Sequence, residues 1–203
     1  MSLKGLTRVK DDKSPQLGGN LDAESFHIDD LEKRSSFYTY VFNYATIIGQ
    51  GKPTQVSRGV YNGWSLPIYD SDNEELFACS CIPSNWDGLT NPIIYVGGWL
   101  DTANTDKNFK LEVCWEHTRM DGTEVMDTSE NCVPVSQATG TAAQYTAFKL
   151  AFTIDLVGSS VLAGDALGIR IRRLAADSNE ITGEFVVEGA ILVYPSTVIG
   201  GTW

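Results

Sequence analysis

The stretch Phe109-Lys-Leu-Glu-Val-Cys-Trp-Glu116 decides the fold class of this chain. Every second residue from Phe109 to Trp115 is large and apolar, and charged residues stand at most of the positions between them. Successive side chains of a β-strand point to opposite faces of its sheet. The alternation therefore predicts a strand with one face in a hydrophobic core and the other face in water.

The same period of two recurs along much of the chain. It runs through residues 148–156 and 167–172, and it predicts a further strand over residues 75–82 that ends at a proline. Residues 38–44 have an aromatic side chain at every second position and predict a first strand with an aromatic face. Residues 184–194 are apolar on nearly both faces, which is typical of a strand in the middle of a sheet.

Turn signals separate these predicted strands. Asn62-Gly63 and Asp121-Gly122 are expected to form turns, because Asn, Asp and Gly tolerate positive φ. The pattern contains about eight strands with long connections between some of them. It predicts an all-β fold, an antiparallel jelly-roll β-sandwich over residues 36–203 rather than an up-and-down barrel.

Residues 1–35 differ from this domain because they are polar, rich in turn formers and too poor in apolar residues to build a core. They predict an extended N-terminal arm that becomes ordered on the surface of a partner. Fully extended, such an arm reaches on the order of 100 Å. The side chains and turns expected to contact the partner are Leu3, Leu6, Val9, Ser14, Pro15, Gln16, Leu17, Gly18, Gly19, Leu21, Phe26 and Ile28.

Charge and hydropathy exclude several classes of function. The formal net charge is −11 at pH 7, so binding to a phosphate backbone is not expected. No apolar run reaches the roughly 18 residues of a membrane-spanning helix, and the N-terminus lacks the apolar region of a secretory signal. We expect neither nucleic acid nor membrane as a partner.

The four cysteines are Cys79, Cys81, Cys114 and Cys132. Cys79 and Cys81 are two residues apart in a predicted strand and therefore share a face, a spacing that does not suit a zinc knuckle. The interpretation taken from the sequence is that all four are reduced and act as small apolar packing residues. No metal and no cofactor are predicted.

Catalytic signatures are missing from the sequence. It contains no G-x-S-x-G, H-E-x-x-H, G-x-x-x-x-G-K-[ST] or G-x-G-x-x-G motif. His117 beside Glu116 is a poor dyad, since adjacent strand residues point to opposite faces. The acidic residues 70–75 could ligate calcium, but they lack an EF-hand pattern and are expected to form a solvated turn. The sequence predicts a protein that is not an enzyme.

Two further groups of residues have alternative interpretations. Trp86, Asp87 and Gly88 are expected to form a structural corner, and the alternative is a sugar-stacking platform that joins Trp86 to Trp64 or Trp99. Arg170 and Arg172 share one face of a predicted strand. They are expected to pair with acidic residues of a neighbouring strand or of another subunit.

The stretch Asp11-Asp-Lys-Ser-Pro-Gln-Leu-Gly-Gly-Asn-Leu-Asp22 lies within the arm. It resembles the D-x-S-P-Q-L-G-G-x-L-D stretch found near the N-termini of tailed-bacteriophage virion proteins. The P-x-x-W-D-G turn that begins at Pro83, the G-D-x-L-x-x-R-I-x-R strand that begins at Gly164 and the closing strand at residues 190–194 look like a recurring β-sandwich module of phage structural proteins. The resemblance implies a virion component that forms a homotrimer.

Within a virion, two placements are expected. The first is a capsid decoration (cement) protein whose arm lies on neighbouring subunits of the major capsid protein and stabilises the head. The alternative is a tail fibre, tail tip or host-glycan-binding component. The absence of heptads and internal repeats favours the decoration protein. Such a protein is made in the host cytoplasm and works on the virion.

Overall fold

The computed structural model describes residues 53–68, 75–84, 86–123, 130–157 and 161–195, and the backbone of residues 32–36. The predicted aromatic strand at residues 38–44 and the arm before residue 32 lie outside these residues. The strands are β1 Glu32–Ser36, β2 Thr54–Arg58, β3 Tyr61–Leu66, β4 Glu75–Cys81, β5 Ile93–Leu100, β6 Asn104–Thr105, β7 Asn108–Thr118, β8 Asn131–Ala138, β9 Thr141–Ala142, β10 Ala147–Thr153, β11 Ala166–Leu174 and β12 Phe185–Pro195.

Eight of these strands form two antiparallel sheets with jelly-roll connectivity. One sheet has the order β10-β5-β12-β3, and the other has the order β4-β11-β7-β8. Strand β2 extends the first sheet beyond β3, β1 pairs with β12, and β6 and β9 form a separate two-stranded sheet. The predicted fold class, an all-β antiparallel jelly-roll sandwich, is therefore confirmed. No helix in the described part of the chain is long and apolar enough to cross a membrane.

Strand β12 occupies the position expected from its sequence. It pairs with β5 along one edge and with β3 and then β1 along the other. Val186 and Val187 point to opposite faces of the sheet and both are fully buried. The prediction of a central strand at residues 184–194 is confirmed.

The core follows the predicted alternation. Every second side chain from Phe109 to Trp115 is buried, and most of the inward-facing apolar residues of β10 and β11 are buried in the same way. The ring of Phe109 stacks on that of Phe185 with centroids 4.7 Å apart. The rings of Phe109 and Phe148 meet edge to face, with centroids 5.4 Å apart. Because Phe109 and Phe185 belong to different sheets, this cluster joins the two layers.

The turn predicted at Asn62-Gly63 is wrong, since both residues lie inside β3. The chain reverses instead at Gly59-Val60, where Gly59 has a φ of 61° as the first residue of a two-residue hairpin turn. Gly63 serves a different purpose. A Cβ there would lie 2.6 Å from Val186 Cγ1, so the glycine permits close packing against β12.

The turn predicted at Asp121-Gly122 has the expected backbone conformation, but it lies within a long connection rather than a short hairpin loop. Gly122 has a φ of 80°, and Asp121 Oδ1 accepts a hydrogen bond from the Thr123 backbone N–H at 2.9 Å. However, β7 ends at Thr118 and β8 begins at Asn131, so the connection is much longer than a two-residue hairpin loop.

Candidate functional site

The outer face of the four-stranded sheet carries the polar and sulfur-containing residues that alternate with the core. We use "outer face" for the surface formed by these residues. The strand register arranges them in three rows across β4, β11, β7 and β8: Cys79, Gly168 and Glu116; Phe77, Arg170, Cys114 and Cys132; Glu75, Arg172 and Glu112.

Alternating ion pairs tie this face together. Glu75 Oε1 lies 3.3 Å from Arg170 Nη1 and 3.6 Å from Arg172 Nη1. Arg170 also pairs with Glu130, the residue immediately before β8, and Arg172 pairs with Glu112 on β7. The network thus links β4, β11 and β7 with the residue that precedes β8. Of the two alternatives for the arginines, the structure contains the pairing with neighbouring strands of the same chain.

The prediction of a wet side for β7 is wrong at Glu112, which is only 8% exposed. The Arg172 side chain of β11 pairs with its carboxylate. Glu75, at the end of the predicted solvated acidic turn, is also only 7% exposed. Burial raises the pKa of the Glu75 carboxyl, and the neighbouring Arg170 and Arg172 oppose that shift.

A disulfide joins Cys114 to Cys132, directly opposite each other on β7 and β8 with Cα atoms 4.0 Å apart. The prediction that these cysteines are reduced is therefore wrong. Their pairing depends on the β7–β8 register, and the connection between these strands is too long for a turn motif to reveal it. Arg170 Nη2 lies 3.5 Å from Cys114 Sγ, so the ion-pair network and the disulfide are contiguous.

The acidic and sulfur atoms of Glu112, Cys114 and Cys132 lie within 4.8 Å of one another. This grouping has the residue types of a metal site, but its sulfurs are bonded to each other and cannot act as thiolate ligands. The guanidinium groups of Arg170 and Arg172 beside it also oppose a cation. The cluster is a cross-link between strands.

A pocket of about 250 Å³ opens on the outer face. Gly168 lies in its lining, and the other lining residues include Cys79, Glu116, Glu130 and Arg170. Small-molecule sites usually occupy roughly 300–1,000 Å³. The pocket is smaller than that range, and its arginine already pairs with Glu75 and Glu130.

Cys79 and Cys81 are free, exposed thiols on β4. They lie on the outer face opposite Gly168 and Ala166, so the prediction that they share a face is confirmed. The predicted packing role is wrong for both, because an exposed thiol buries no apolar surface.

The Trp86-Asp87-Gly88 segment forms a tight corner before β5. Asp87 Oδ1 accepts backbone N–H bonds from Leu89 at 2.9 Å and Thr90 at 3.1 Å. Gly88 has a φ of 68°, and the Trp86 indole N–H donates to the Thr90 carbonyl at 2.9 Å. Trp86 also packs against the core, so Trp86 and Asp87 have local structural contacts and Gly88 supplies the positive φ of the turn.

Two of the three tryptophans considered for sugar stacking, Trp64 and Trp99, lie on opposite faces of one sheet. Trp64 pairs in register with Val187 and packs on the core. Trp99 pairs with Val186, which points to the opposite face, and is only 6% exposed. No single surface can therefore include both Trp64 and Trp99, and a platform of Trp86 with one of them stays a prediction.

His117 and Glu116 also point to opposite faces of their strand. Glu116 lies opposite Gly168 on the outer face, whereas His117 lies opposite Leu167, which is fully buried in the core. This confirms that the two side chains do not form a dyad.

A buried arginine at one end of the core was missed by the sequence reasoning. Arg173 is 1% exposed, and its guanidinium pairs with Glu180 Oε1 at 2.7 Å. It also donates to the carbonyls of Gly183 at 2.9 Å and Leu66 at 3.3 Å. Since Leu66 belongs to the other sheet, Arg173 links the two layers. The alternation along β11 was the signal that could have found it. Arg173 lies two residues after Ile171, whose side chain is in the core, so the two side chains point to the same inner face.

The predicted arm contacts, from Leu3 to Ile28, all lie outside the described residues. Strand β1 begins a few residues after them and pairs with β12 so that Glu32 lies opposite Pro195 and Ser36 opposite Ile191. This strand crosses the predicted boundary between residues 35 and 36.

No protein-family model and no curated protein sequence matches the chain. Among solved structures, it is similar to the family 11 carbohydrate-binding module from Clostridium thermocellum in complex with a β-1,3-1,4-mixed-linked tetrasaccharide, with a TM-score of 0.35 and 14% identity over 79% of this chain and 94% of that one. A solution structure of CtCBM11 gives a TM-score of 0.38 and 14% identity, over 81% of this chain and 95% of that one. The non-crystalline cellulose-specific carbohydrate-binding module CBM28 gives a TM-score of 0.35 and 11% identity, over 75% of this chain and 84% of that one. Similarity this low carries no inference about what the chain binds.

Proposed function

We propose that this protein is a structural component of a bacteriophage virion, a homotrimeric capsid decoration protein that acts without catalysis. In this proposal the jelly roll is the rigid body, and the N-terminal segment lies on neighbouring subunits of the major capsid protein. The bound segment stabilises the head by bridging coat subunits that a compact domain alone does not span.

The observation that carries the proposal is the pairing of β1, the strand that follows the arm in the sequence, with the sandwich. The phage-like stretch Asp11–Asp22 precedes β1, and β1 is hydrogen-bonded to the central strand β12. In this proposal, β1 is the point at which load on the bound segment enters the sheet.

The disulfide between Cys114 and Cys132 supports a place of action outside the cell. Disulfides are rare in reducing cytoplasm and persist on secreted proteins and virion surfaces. Together with the ion pairs between Glu75, Arg170 and Arg172, it braces all four strands of one sheet. Such cross-bracing suits a protein that must stay folded on an exposed particle.

The proposal is tested by adding purified protein to virions that lack it. A variant without residues 1–31 keeps β1 and should give the β-sheet circular dichroism spectrum and cooperative melting of the full chain, but it should not bind particles. A second variant keeps the full length of the arm and replaces only Leu17 and Leu21 by serine. It should also weaken binding, which separates the loss of apolar contacts from the loss of length. Undiminished binding of the deleted variant would refute the anchoring role.

Two measurements test the remaining parts of the proposal. Sedimentation equilibrium of the purified protein should give three times the chain mass of 22.2 kDa. Immunogold labelling should cover the head. Labelling confined to the tail would replace decoration with the tail-component alternative.

A further inference from the structure

Strand β4 carries two thiols on one face. Cys79 and Cys81 are free and exposed, and both point to the outer face of the four-stranded sheet. Residues two apart on a strand are separated by roughly 6.7 Å, with parallel Cα–Cβ bonds. A disulfide needs Cβ atoms roughly 4 Å apart. The strand conformation therefore keeps these two cysteines side by side as a dithiol that cannot close into a disulfide of its own.

Ordinary rotamers bring the two sulfur atoms towards each other. In strands, χ1 values of about 180° and about −60° are both common, and side chains lean along the strand. With Cys79 in the first rotamer and Cys81 in the second, each sulfur moves roughly 1.5 Å along the strand towards the other. The separation of the two sulfurs then falls to about 4 Å, with the backbone unchanged.

This separation suits one metal ion held between two thiolates. Metal–thiolate bonds are roughly 2.3 Å long, so two such bonds to one ion span at most about 4.6 Å. Thiolates are soft ligands that select Cu(I), whereas structural zinc sites use four protein ligands. We propose that Cys79 and Cys81 form a chelating site for a soft cation, Cu(I), on the outer face of the sheet.

The neighbouring strand leaves room for the ion. Cys79 lies opposite Gly168 and Cys81 lies opposite Ala166 on β11. Neither residue has a side chain long enough to fill the space beside the sulfurs. Glu116 follows Gly168 in the same row, on β7, and adds a negative charge to this surface. The surroundings of the dithiol therefore accept a cation.

The closest row of positive charge does not oppose this site. Arg170 lies opposite Phe77 rather than opposite either free cysteine, and it pairs with Glu75 and Glu130. When Cu(I) binds, both thiols release their protons to water. Two thiolates and one Cu(I) together carry a single negative charge, which a neighbouring guanidinium stabilises.

The site is independent of the proposed function and is tested on the purified full-length chain under anaerobic conditions. Cu(I) is supplied as its coloured complex with bicinchoninate, and loss of the colour measures transfer to the protein. The wild type should take up one Cu(I) per chain, with an affinity that does not change with protein concentration. Prior alkylation of the exposed thiols should prevent uptake. The Cys114–Cys132 bond stays intact without reductant and supplies no thiolate.

Variants of β4 distinguish a chelate from single thiols. Cys79→Ser and Cys81→Ser should each weaken Cu(I) binding by roughly a hundredfold or more, because the second thiolate no longer acts within the same molecule. The matched control is Ser80→Cys/Cys81→Ser, which keeps two thiols in the strand. Residue 80 lies opposite the buried Leu167 and points to the other face, so this control should bind as weakly as the single variants. Unchanged melting would verify that each variant folds.

Three results would overturn the inference. The first is a wild type that takes no Cu(I) from the chelator. The second is binding by Ser80→Cys/Cys81→Ser as tight as that of the wild type, since two thiols would then suffice on any faces. The third is uptake of half a Cu(I) per wild-type chain, because the ion would then join two copies rather than two residues of one strand.

Discussion

Removal of the Cys114–Cys132 disulfide should cost the sandwich a measurable share of its stability. The two cysteines are separated by 18 residues along the chain. In the chain-entropy account, a cross-link closing a loop of this size destabilises the unfolded state by roughly 3 kcal/mol at 25 °C. We therefore expect the Cys114→Ala/Cys132→Ala variant to lose about 3 kcal/mol of unfolding free energy.

Urea denaturation monitored by tryptophan fluorescence measures this loss. With an m-value of roughly 2 kcal/mol/M, a loss of about 3 kcal/mol lowers the midpoint by about 1.5 M. Wild-type protein unfolded in the presence of a thiol reductant should show the same midpoint as the variant. The Cys79→Ser/Cys81→Ser variant is the matched control and should unfold like the wild type, because these thiols are exposed and unbonded.

Two outcomes would refute the reasoning. A midpoint for the alanine variant equal to that of the oxidised wild type would mean that the bond does not constrain the unfolded chain. An equal loss in the Cys79→Ser/Cys81→Ser control would mean that cysteine content, rather than the bond, sets the stability.

Three further perturbations test other contacts by urea denaturation. Arg173→Met should cost roughly 3–5 kcal/mol, because it leaves the partly buried Glu180 without its partner; a neutral result would contradict the bridging role. Gly98→Ala should cost roughly 1–3 kcal/mol, since its Cβ would lie 2.1 Å from the Val186 carbonyl oxygen, whereas Gly97→Ala has open space and should be tolerated. Burial and the nearby Asp101 raise the pKa of Glu184 above its ordinary value of 4.5, so the folded state holds this proton more tightly than the unfolded state. The free energy of unfolding should therefore fall as the pH rises above 4.5, and Glu184→Gln should flatten that fall. A pH profile that Glu184→Gln leaves unchanged would contradict this.

The core was predictable because burial within a strand is a local property. The alternation from Phe109 to Trp115 shows directly which side chains leave water, since the strand geometry has a period of two. The central place of β12 was also predictable, because only a strand covered on both faces and flanked on both edges tolerates apolar residues throughout.

Two features that sequence reasoning missed depend on contacts between distant segments. Asn62-Gly63 has turn residues, but β12 packs so closely against Gly63 that the glycine is needed inside the strand. The local sequence does not identify a partner for Arg173. The fold places it inside the sandwich, where Glu180 and two carbonyl groups satisfy it.

By itself, the sequence determined that the chain forms an antiparallel sandwich, which side chains fill its core, and that Arg170 and Arg172 share a face. Only the tertiary structure decided that Cys114 lies opposite Cys132 and that Glu75 lies between two arginines. The physical reason is that alternation records the face to which a residue points but contains no information about the strand beside it. Register and neighbour order arise when the whole sheet assembles, and they decide which sulfurs and charges meet.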